Sequence, residues 1–238
     1  MNRHGFDPLI PPHGGYHDLK SYQMAEIIHD ATVVFCDRFI DRRSKVIGNH
    51  FSEHREREGM ALRALPVEGA TQAPVIAQML QAARSGKQNI AEGSVASGTS
   101  KKTELKLVGV ARASLEELLV DFQDFLRQKA LLLWGKEHAK AKEVRALAWK
   151  ENRSYSTYKT YFESADPETA ANAAICVIHQ ANYLLDQQLR ALEKGFLGEG
   201  GFTERLYRAR SQAKREKSSR SDWTYKTYFK RKKQSNEP

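Results

Sequence analysis

One stretch of the sequence has the residue types and spacing of a hydrolytic metal site. His50-Phe-Ser-Glu-His54 matches the H-x-x-E-H pattern of zinc peptidases. Such a site needs both imidazoles on one helix face, a third ligand, and the glutamate as general base. The flanking sequence offers no apolar helix to hold these groups rigidly, and a five-residue match arises easily by chance. We therefore expect no enzymatic activity, no metal and no cofactor.

The C-terminal end has a second chemically suggestive pattern, because its charge is strongly positive. Residues 203–238 hold 12 Lys/Arg and 4 Asp/Glu, a net charge of +8, whereas residues 1–202 hold 26 and 25. This asymmetry predicts a polyanionic partner, most simply RNA or DNA; the alternative is a disordered solubilising tail. The spacing of Arg205, Arg208 and Arg215 suits one helix face. The predicted phosphate contacts here are Arg205, Arg208, Arg210, Lys214, Arg215, Lys217 and Arg220.

Four segments with helical periodicity must position these groups. Apolar residues recur in them at i, i+3, i+4 and i+7, so one face of each helix is expected to be buried. The sequence therefore predicts an all-α fold, namely an antiparallel four-helix bundle with a basic C-terminal extension. The helices are expected at about 19–40, 74–93, 100–126 and 166–194.

The stretches between these helices suggest a domain division. Prolines and glycines predict a flexible lead-in at 1–15, and glycines and charged residues predict a long connection at 43–72. The bundle is then expected at 16–197, with an insertion at 129–166, and the basic tail at 198–238. Asp166 followed by Pro167 is a strong helix start, since it combines a capping acid with a first-turn proline.

The hairpin between the second and third helices carries further candidates. Gly93 is predicted to end the second helix through a positive φ, and Thr99 or Ser100 to cap the third. Lys87 projects onto the apolar stripe of its helix, so it must snorkel or face a polar channel. Lys87, Lys101 and Lys102 are candidate anion contacts. Lys101, Lys102 and Arg112 could equally pair with Glu92, Glu116 and Asp121.

Other residues of the hairpin are predicted to serve structure or assembly. Glu92 is expected to pair with Arg84 or Arg112. The helix face that carries Asn89 is small and uncharged, which suits either a subunit contact or an ordinary solvated face. The residues assigned to oligomer contact or structure are Asn89, Glu92, Gly93 and Arg112.

Composition predicts the compartment. The chain has two cysteines, Cys36 and Cys176, both inside predicted apolar helices, where they should be small buried hydrophobic residues. No stretch has the apolar length needed to cross a bilayer, and the N-terminus has no apolar signal-peptide core. We therefore expect a cytoplasmic protein with no membrane partner.

The chain contains one internal repeat. Arg153-Ser-Tyr-Ser-Thr-Tyr-Lys-Thr-Tyr-Phe162 recurs as Arg220-Ser-Asp-Trp-Thr-Tyr-Lys-Thr-Tyr-Phe229, with differences only at the third and fourth positions. The two copies could dock onto equivalent grooves, for example on adjacent subunits. Their tyrosines could instead stack on bases while lysines contact phosphate. The third alternative is a duplicated fragment without function.

The hairpin also carries a resemblance to a known family. Asn89-Ile-Ala-Glu-Gly-Ser94, Ser100-Lys-Lys102 and Ala111-Arg-Ala-Ser-Leu-Glu-Glu-Leu118 closely resemble the four-helix-bundle proteins encoded by ribosomal RNA intervening sequences. That family includes the accessory variability determinant of diversity-generating retroelements. The layout through Gly201-Phe-Thr-Glu-Arg-Leu-Tyr207 is similar to its four helix bundle suffix domain subgroup. The resemblance covers most of residues 16–215.

This resemblance implies a homo-oligomer, a homopentameric barrel of four-helix bundles. In retroelement members such a barrel binds nucleic acid and the reverse transcriptase of the element. We therefore expect a non-enzymatic, nucleic-acid-binding accessory subunit of a reverse transcriptase. The alternative is a structural scaffold that binds a protein partner and has no direct role with nucleic acid. The chain departs from the family pattern at Lys87, where proline is frequent, in the longer connection, and in the basic tail.

Overall fold

The computed structural model describes Ile10, residues 12–41 and residues 72–234, and the side chains at 41, 72–73, 199, 220–222 and 224–234 are not described. The described residues are all-helical and contain no β-strand, which confirms the predicted all-α class. Most of the connection at 43–72, with the motif at His50 and His54, lies outside them. The α-helices are α1 (Lys20–Phe35), α2 (Gln72–Ala96), α3 (Lys101–Gln128), α4 (Ala139–Ala146), α5 (Tyr155–Phe162), α6 (Pro167–Glu199) and α7 (Phe202–Gln234).

Four of these helices enclose the main core. Helix α2 packs on α3, α3 packs on α6, and α1 packs on both α2 and α6. The apolar positions that the sequence assigns to helix faces are largely buried, because each helix has two packed neighbours. The largest fully buried side chains include Met24, Ile28, Met79, Ile90, Leu115, Leu118, Phe122, Leu126, Ile178 and Leu185.

Two predicted helix starts are confirmed. The Ser100 hydroxyl accepts a hydrogen bond from the backbone N–H of Thr103 at 3.1 Å and so caps α3. The Asp166 carboxylate accepts from the backbone N–H groups of Glu168 and Thr169, and Pro167 occupies the first turn of α6. A further hydrogen bond from the Thr169 hydroxyl, at 2.6 Å, holds the pKa of Asp166 below its ordinary value. These bonds satisfy N–H groups that have no acceptor within the helix.

The predicted end of the second helix is wrong. Helix α2 continues through Gly93 to Ala96, and Gly93 is not among the described glycines with a positive φ. The helix continues because three residues compatible with it follow the glycine, and the turn comes only at 97–99. Gly93 is buried instead, and a Cβ there would lie 3.5 Å from Val108 on α3. Gly93 therefore continues a packed helix rather than turning the chain, and a Cβ there would make an ordinary van der Waals contact.

A second glycine of α2 brings α3 closest. A Cβ at Gly86 would lie only 2.6 Å from Leu115 Cδ2 and 2.8 Å from Leu115 Cγ. Alanine at this position would force the fully buried Leu115 to move. Nothing in the sequence indicated a role for Gly86, although a Cβ there would lie closer to α3 than a Cβ at Gly93.

Helix α6 is surrounded at its N-terminal half. Residues 169–178 are ten consecutive buried positions, which is more than one helix face. The neighbours are α1 and α3 together with α4 and α5, which the insertion at 129–166 contributes. Alanines at Ala170, Ala171, Ala173 and Ala174 keep this half of α6 narrow enough for all of these contacts.

Two polar side chains of α6 fasten the insertion to it. The Glu168 carboxylate accepts hydrogen bonds from the backbone N–H of Leu132 at 3.1 Å and from Trp134 Nε1 at 3.2 Å. The Asn172 side chain accepts from the Trp134 backbone N–H and donates to the Leu132 carbonyl, both at 2.8 Å. The extended segment before α4 thus has its polar backbone groups satisfied although it lies against a buried helix.

The two cysteines are free and buried, as predicted. Burial raises the pKa of Cys36 to about 12 and that of Cys176 to about 11. Both thiols therefore stay protonated at neutral pH, and they act as small apolar side chains in the core.

The basic C-terminal stretch forms a helix. Gly200, with a φ of 76°, separates α6 from α7, and the Glu204 carboxylate accepts a hydrogen bond from the Gly201 N–H at 2.9 Å. Helix α7 has 33 residues, so it is about 50 Å long. It presents its basic residues in a helical register rather than along an open chain.

Candidate nucleic-acid interface

Helix α7 carries an exposed row of one tyrosine and three basic residues. Tyr207, Arg210, Lys214 and Lys217 follow at i, i+3, i+7 and i+10, the spacing that places residues on one helix face. All four side chains are exposed, Tyr207 to 74%. We call these four residues the outer stripe. It combines positive charge with an accessible aromatic ring.

Another side of α7 faces the rest of the protein at its first turns. Phe202, Arg205, Leu206 and Ala209 are half-buried and share this inner face. The Nε and Nη2 atoms of Arg205 are buried and have no hydrogen-bond partner among the described residues. Arg205 is therefore placed towards the protein and not towards solvent, unlike a phosphate contact on an open surface.

The three arginines predicted to share one face, Arg205, Arg208 and Arg215, thus differ in their exposure to solvent. Arg208 is exposed, but its Nη2 lies 3.3 Å from where a Cβ of Gly200 would be, so it lies beside the α6–α7 junction. Arg215 is exposed farther along α7. Arg220 lies at a register position of the inner face, and its side chain is outside the described part of the structure.

The register of α7 extends the outer stripe towards the C-terminus. The backbone is helical through Gln234, so positions 221, 225, 228 and 232 continue the same face at spacings of three and four residues. These positions are Ser221, Tyr225, Tyr228 and Lys232. By register, this face therefore holds a basic segment with tyrosine positions before and after it.

One lysine at the start of α3 lies beside the last turns of α6. Lys101 and Lys102 start α3, and Lys101 Nζ is 3.6 Å from where a Cβ of Gly195 would be, near the end of α6. The N-terminus of α3 adds a partial positive charge there. Burial raises the pKa of Glu104 in the first turn of α3, while Lys101 opposes that rise. This end of the hairpin thus lies beside the last turns of α6, a few residues before α7 begins.

The third predicted lysine is separate from that region. Lys87 is half-buried and lies nine residues before the end of α2, which is about 13 Å along the helix axis. It neighbours Gly86, where α2 and α3 are closest. The half-buried side chain agrees with the prediction that Lys87 must snorkel.

The residues predicted to serve structure act mainly within the chain. Arg112 pairs with Glu116 at 2.6 Å, as one of the predicted alternatives had it, and with Asp186 of α6 at 3.2 Å. The prediction that Arg112 pairs with Glu92 is wrong, because these two carboxylates take its guanidinium. Glu92 is exposed and has no ion-pair partner among the described residues.

Asn89 belongs to a polar network between the two hairpin helices. Its amide nitrogen donates to the Ser85 carbonyl at 2.9 Å and to the Ser85 hydroxyl at 3.0 Å. The Ser85 hydroxyl in turn contacts the Ser114 hydroxyl of α3 at 2.9 Å. Part of the uncharged face of α2 therefore packs on α3 in the same chain.

The described part of the chain contains neither a candidate metal site nor a candidate membrane-spanning helix. Residues 12–41 and 72–234 contain no group of three or more His, Cys, Asp or Glu side chains placed to hold a metal ion. Within the same ranges, no helix combines the length and the apolar character needed to span a bilayer. The motif at His50 and His54 is outside these ranges, so its assignment stays a prediction.

Sequence reasoning missed Tyr207 and the outer stripe. The composition located the basic residues, but the helix face predicted from them includes Arg205, which is half-buried. A signal was present, since Tyr207, Arg210, Lys214 and Lys217 have the spacing of an amphipathic helix. No protein-family model, curated protein or solved structure matches the chain.

Proposed function

We propose that this protein is a non-enzymatic nucleic-acid-binding accessory subunit. In this proposal α1, α2, α3 and α6 form an antiparallel four-helix bundle, and α7 is the basic extension that contacts RNA or DNA. The observation that carries the proposal is the outer stripe, in which Arg210, Lys214 and Lys217 are exposed on one face. Residues 1–202 are nearly neutral, so the positive excess of the chain lies in α7 and the residues after it.

Electrostatics supports α7 as the main contact. Arg210 to Lys217 span seven residues, or about 10 Å of helix, which matches the spacing of a few consecutive phosphates. Each lysine or arginine that neutralises a phosphate releases a counterion, so binding must weaken as salt rises. In this proposal Lys101, whose Nζ lies beside Gly195 near the end of α6, and its neighbour Lys102 extend the contact along the strand.

The experiment compares charge removal at two places. Full-length protein and the triple variant Arg210→Gln, Lys214→Gln, Lys217→Gln are titrated with labelled RNA and DNA across a salt series. The matched control removes equal charge from exposed lysines outside α7, at Lys129, Lys136 and Lys150. We expect the α7 variant to lose affinity at least about tenfold and to flatten the slope of log affinity against log salt by about 2 to 3.

Two outcomes would overturn the proposal. The first is that the full-length protein shows no affinity for RNA or DNA at low salt. The second is that the control variant loses as much affinity as the α7 variant, because the charge would then act without regard to position. Helix content by circular dichroism must stay equal among the three proteins for the comparison to hold.

The accessory role and the homo-oligomer rest on the family resemblance. We propose a homopentamer that presents several copies of α7 to one nucleic acid and that works with a reverse transcriptase. Several weak contacts on one assembly raise the overall affinity through their high effective concentration. Sedimentation equilibrium measures the number of subunits, and a monomer would contradict the assembly. A reverse transcriptase gene beside this gene, and co-purification of the two proteins, would support the partner.

One observation favours the alternative of a protein-binding scaffold. Trp149 is 90% exposed, and Leu132 and Leu133 of the same insertion are also exposed. Exposed large apolar residues of this kind are enriched where proteins bind each other. If the full-length protein retains a specific protein partner after nuclease treatment and loses it in Trp149→Ala, the scaffold function is the correct one.

A further inference from the structure

We infer that α7 binds single-stranded rather than double-stranded nucleic acid, with the tyrosines of its outer face stacking on bases. This inference rests on the proposed function and names the kind of nucleic acid that the same helix takes. The lysines and arginines account for attraction to any phosphate backbone. The tyrosines supply a contact that only accessible bases can accept.

The position of Tyr207 is the first argument. Its side chain is 74% exposed on a helix whose apolar inner face is directed elsewhere, so it contributes little to the core. Arg210 lies one turn after it on the same face, and Lys214 and Lys217 follow. A base that stacks on the Tyr207 ring would thus have cations within reach of its own phosphate and of the next ones.

The helix register is the second argument. Tyr225 and Tyr228 occupy positions on the continuation of the outer stripe, and Lys232 follows them. From Tyr207 to Tyr225 is about 27 Å along the helix axis. The face therefore has an aromatic residue at each end of its basic segment, an arrangement that suits an extended strand lying along the helix.

The chemistry of the nucleic acid supplies the third argument. In a duplex the faces of the bases are already stacked on each other, so a tyrosine ring on a helix surface cannot reach them. In a single strand the faces are accessible, and stacking on an aromatic ring is tolerant of sequence because every base has a π-face. Aromatic and basic residues on one face therefore favour single strands over duplexes of equal charge.

The experiment uses three probes and the full-length protein. The probes are a labelled oligouridine strand, an abasic strand with the same number of phosphates, and a duplex of the same length. Fluorescence anisotropy gives the affinity for each at one moderate salt concentration. We expect the oligouridine strand to bind more tightly than the abasic strand by about tenfold for each stacked base. The duplex should bind less tightly than the oligouridine strand, although its higher charge density favours it over the abasic strand.

Variants separate stacking from charge and from folding. The triple variant Tyr207→Ala, Tyr225→Ala, Tyr228→Ala should lose the preference for oligouridine and keep the affinity for the abasic strand. The corresponding triple phenylalanine variant should retain the preference, because the ring stays. The matched control is Tyr183→Ala, which removes a tyrosine that is 63% exposed on α6 and should change nothing.

The outcomes distinguish the two levels of the proposal. If the full-length protein binds none of the three probes, the proposed function itself fails. If it binds the abasic strand or the duplex as tightly as oligouridine, nucleic-acid binding stands and the single-strand inference fails. An unchanged preference in the triple alanine variant also overturns the inference, because the tyrosines would then have no part in it.

Discussion

The two copies of the ten-residue repeat belong to helices with different surroundings. The first, residues 153–162, forms the short helix α5, which packs on α1 and α6. The second, residues 220–229, lies in the interior of α7, where the last fully described stretch before it, 212–219, is exposed throughout. Eight of the ten residues are the same, so the difference comes from the surroundings and not from local sequence.

In the first copy, the repeated residues make a small packed unit. Tyr158 and Phe162 are fully buried, with ring centroids 5.7 Å apart. The Tyr161 hydroxyl donates to Glu143 at 2.9 Å, and the Thr157 hydroxyl accepts from the Ser154 backbone N–H at 3.1 Å, which satisfies the helix start. Nearly every position shared by both copies therefore has a structural contact here.

The second copy lies inside one continuous helix, so no helix begins at its first residues. The backbone N–H at position 221 has a carbonyl acceptor one turn earlier in α7, so a cap at Thr224 is not needed. Tyr225, the counterpart of the buried Tyr158, lies at a position of the outer face. The same motif thus occurs in a short packed helix and in a long basic helix, and the burial of its residues depends on which elements cover each helix.

The largest expected contrast between the copies concerns their central tyrosines. Tyr158→Ala should lower the free energy of unfolding by about 3–5 kcal/mol, because it leaves a large cavity in a packed site. Tyr225→Ala should change it by less than about 0.5 kcal/mol. Urea unfolding followed by circular dichroism measures both. Equal losses in the two variants would show that the second copy is packed like the first.

A smaller contrast is expected at the helix starts. Thr157→Val keeps the shape of the side chain but removes the acceptor for the Ser154 N–H, so it should cost about 1 kcal/mol of unfolding free energy. Thr224→Val in α7 is the matched change and should cost no more than a few tenths, the difference in helix propensity. If Thr157→Val is neutral, the hydroxyl does not stabilise α5.

The third contrast is smaller and has the opposite sign. The Tyr158 hydroxyl is buried without a hydrogen-bond partner among the described residues, and burial raises its pKa. Tyr158→Phe should therefore leave the protein as stable or stabilise it by up to about 1 kcal/mol. Tyr225→Phe is the control and should have no effect on stability. A clear loss in Tyr158→Phe would reveal a partner for the hydroxyl.

The last contrast is visible only at high pH. Burial and then the hydrogen bond to Glu163 raise the pKa of Tyr155 from 10.0 to about 12. Because the folded pKa exceeds the unfolded one, this tyrosine lowers stability only as pH rises from about 10 towards 12. The second copy has Asp222 at this position and no phenol. Unfolding measured at several pH values should show a shallower decline in Tyr155→Phe, and parallel curves would contradict the shift.

The sequence predicted local features that depend on a few neighbouring residues. The caps at Ser100 and Asp166 are confirmed because each needs only a polar side chain and the next N–H groups. The predicted helix end at Gly93 is wrong because a glycine can also lie inside a packed helix. Whether it ends the helix or continues it depends on α3, which lies beside it. Gly86 was missed for the same reason, since its close contact with Leu115 exists only after the hairpin has formed.

The sequence predicted which residues give the candidate interface its positive charge, but not which of them face solvent. Composition located the basic residues of α7, and nothing more was needed for that. Which of them face solvent depends on how α7 leaves Gly200 and turns Arg205 towards the protein. The attachment of the insertion through Glu168 and Asn172 was likewise hidden, because a glutamate and an asparagine in a helix usually face solvent.

The packing of α1 on α6 has a consequence for the order in which the chain folds. Ser21 of α1 donates a hydrogen bond to Gln188 of α6 at 2.7 Å, across 167 residues of sequence. During synthesis α1 leaves the ribosome well before α6, although α6 is one of its main neighbours. Until α6 is synthesised, the apolar faces of α1 and α3 that it covers stay exposed, and the nascent chain can aggregate or bind chaperones.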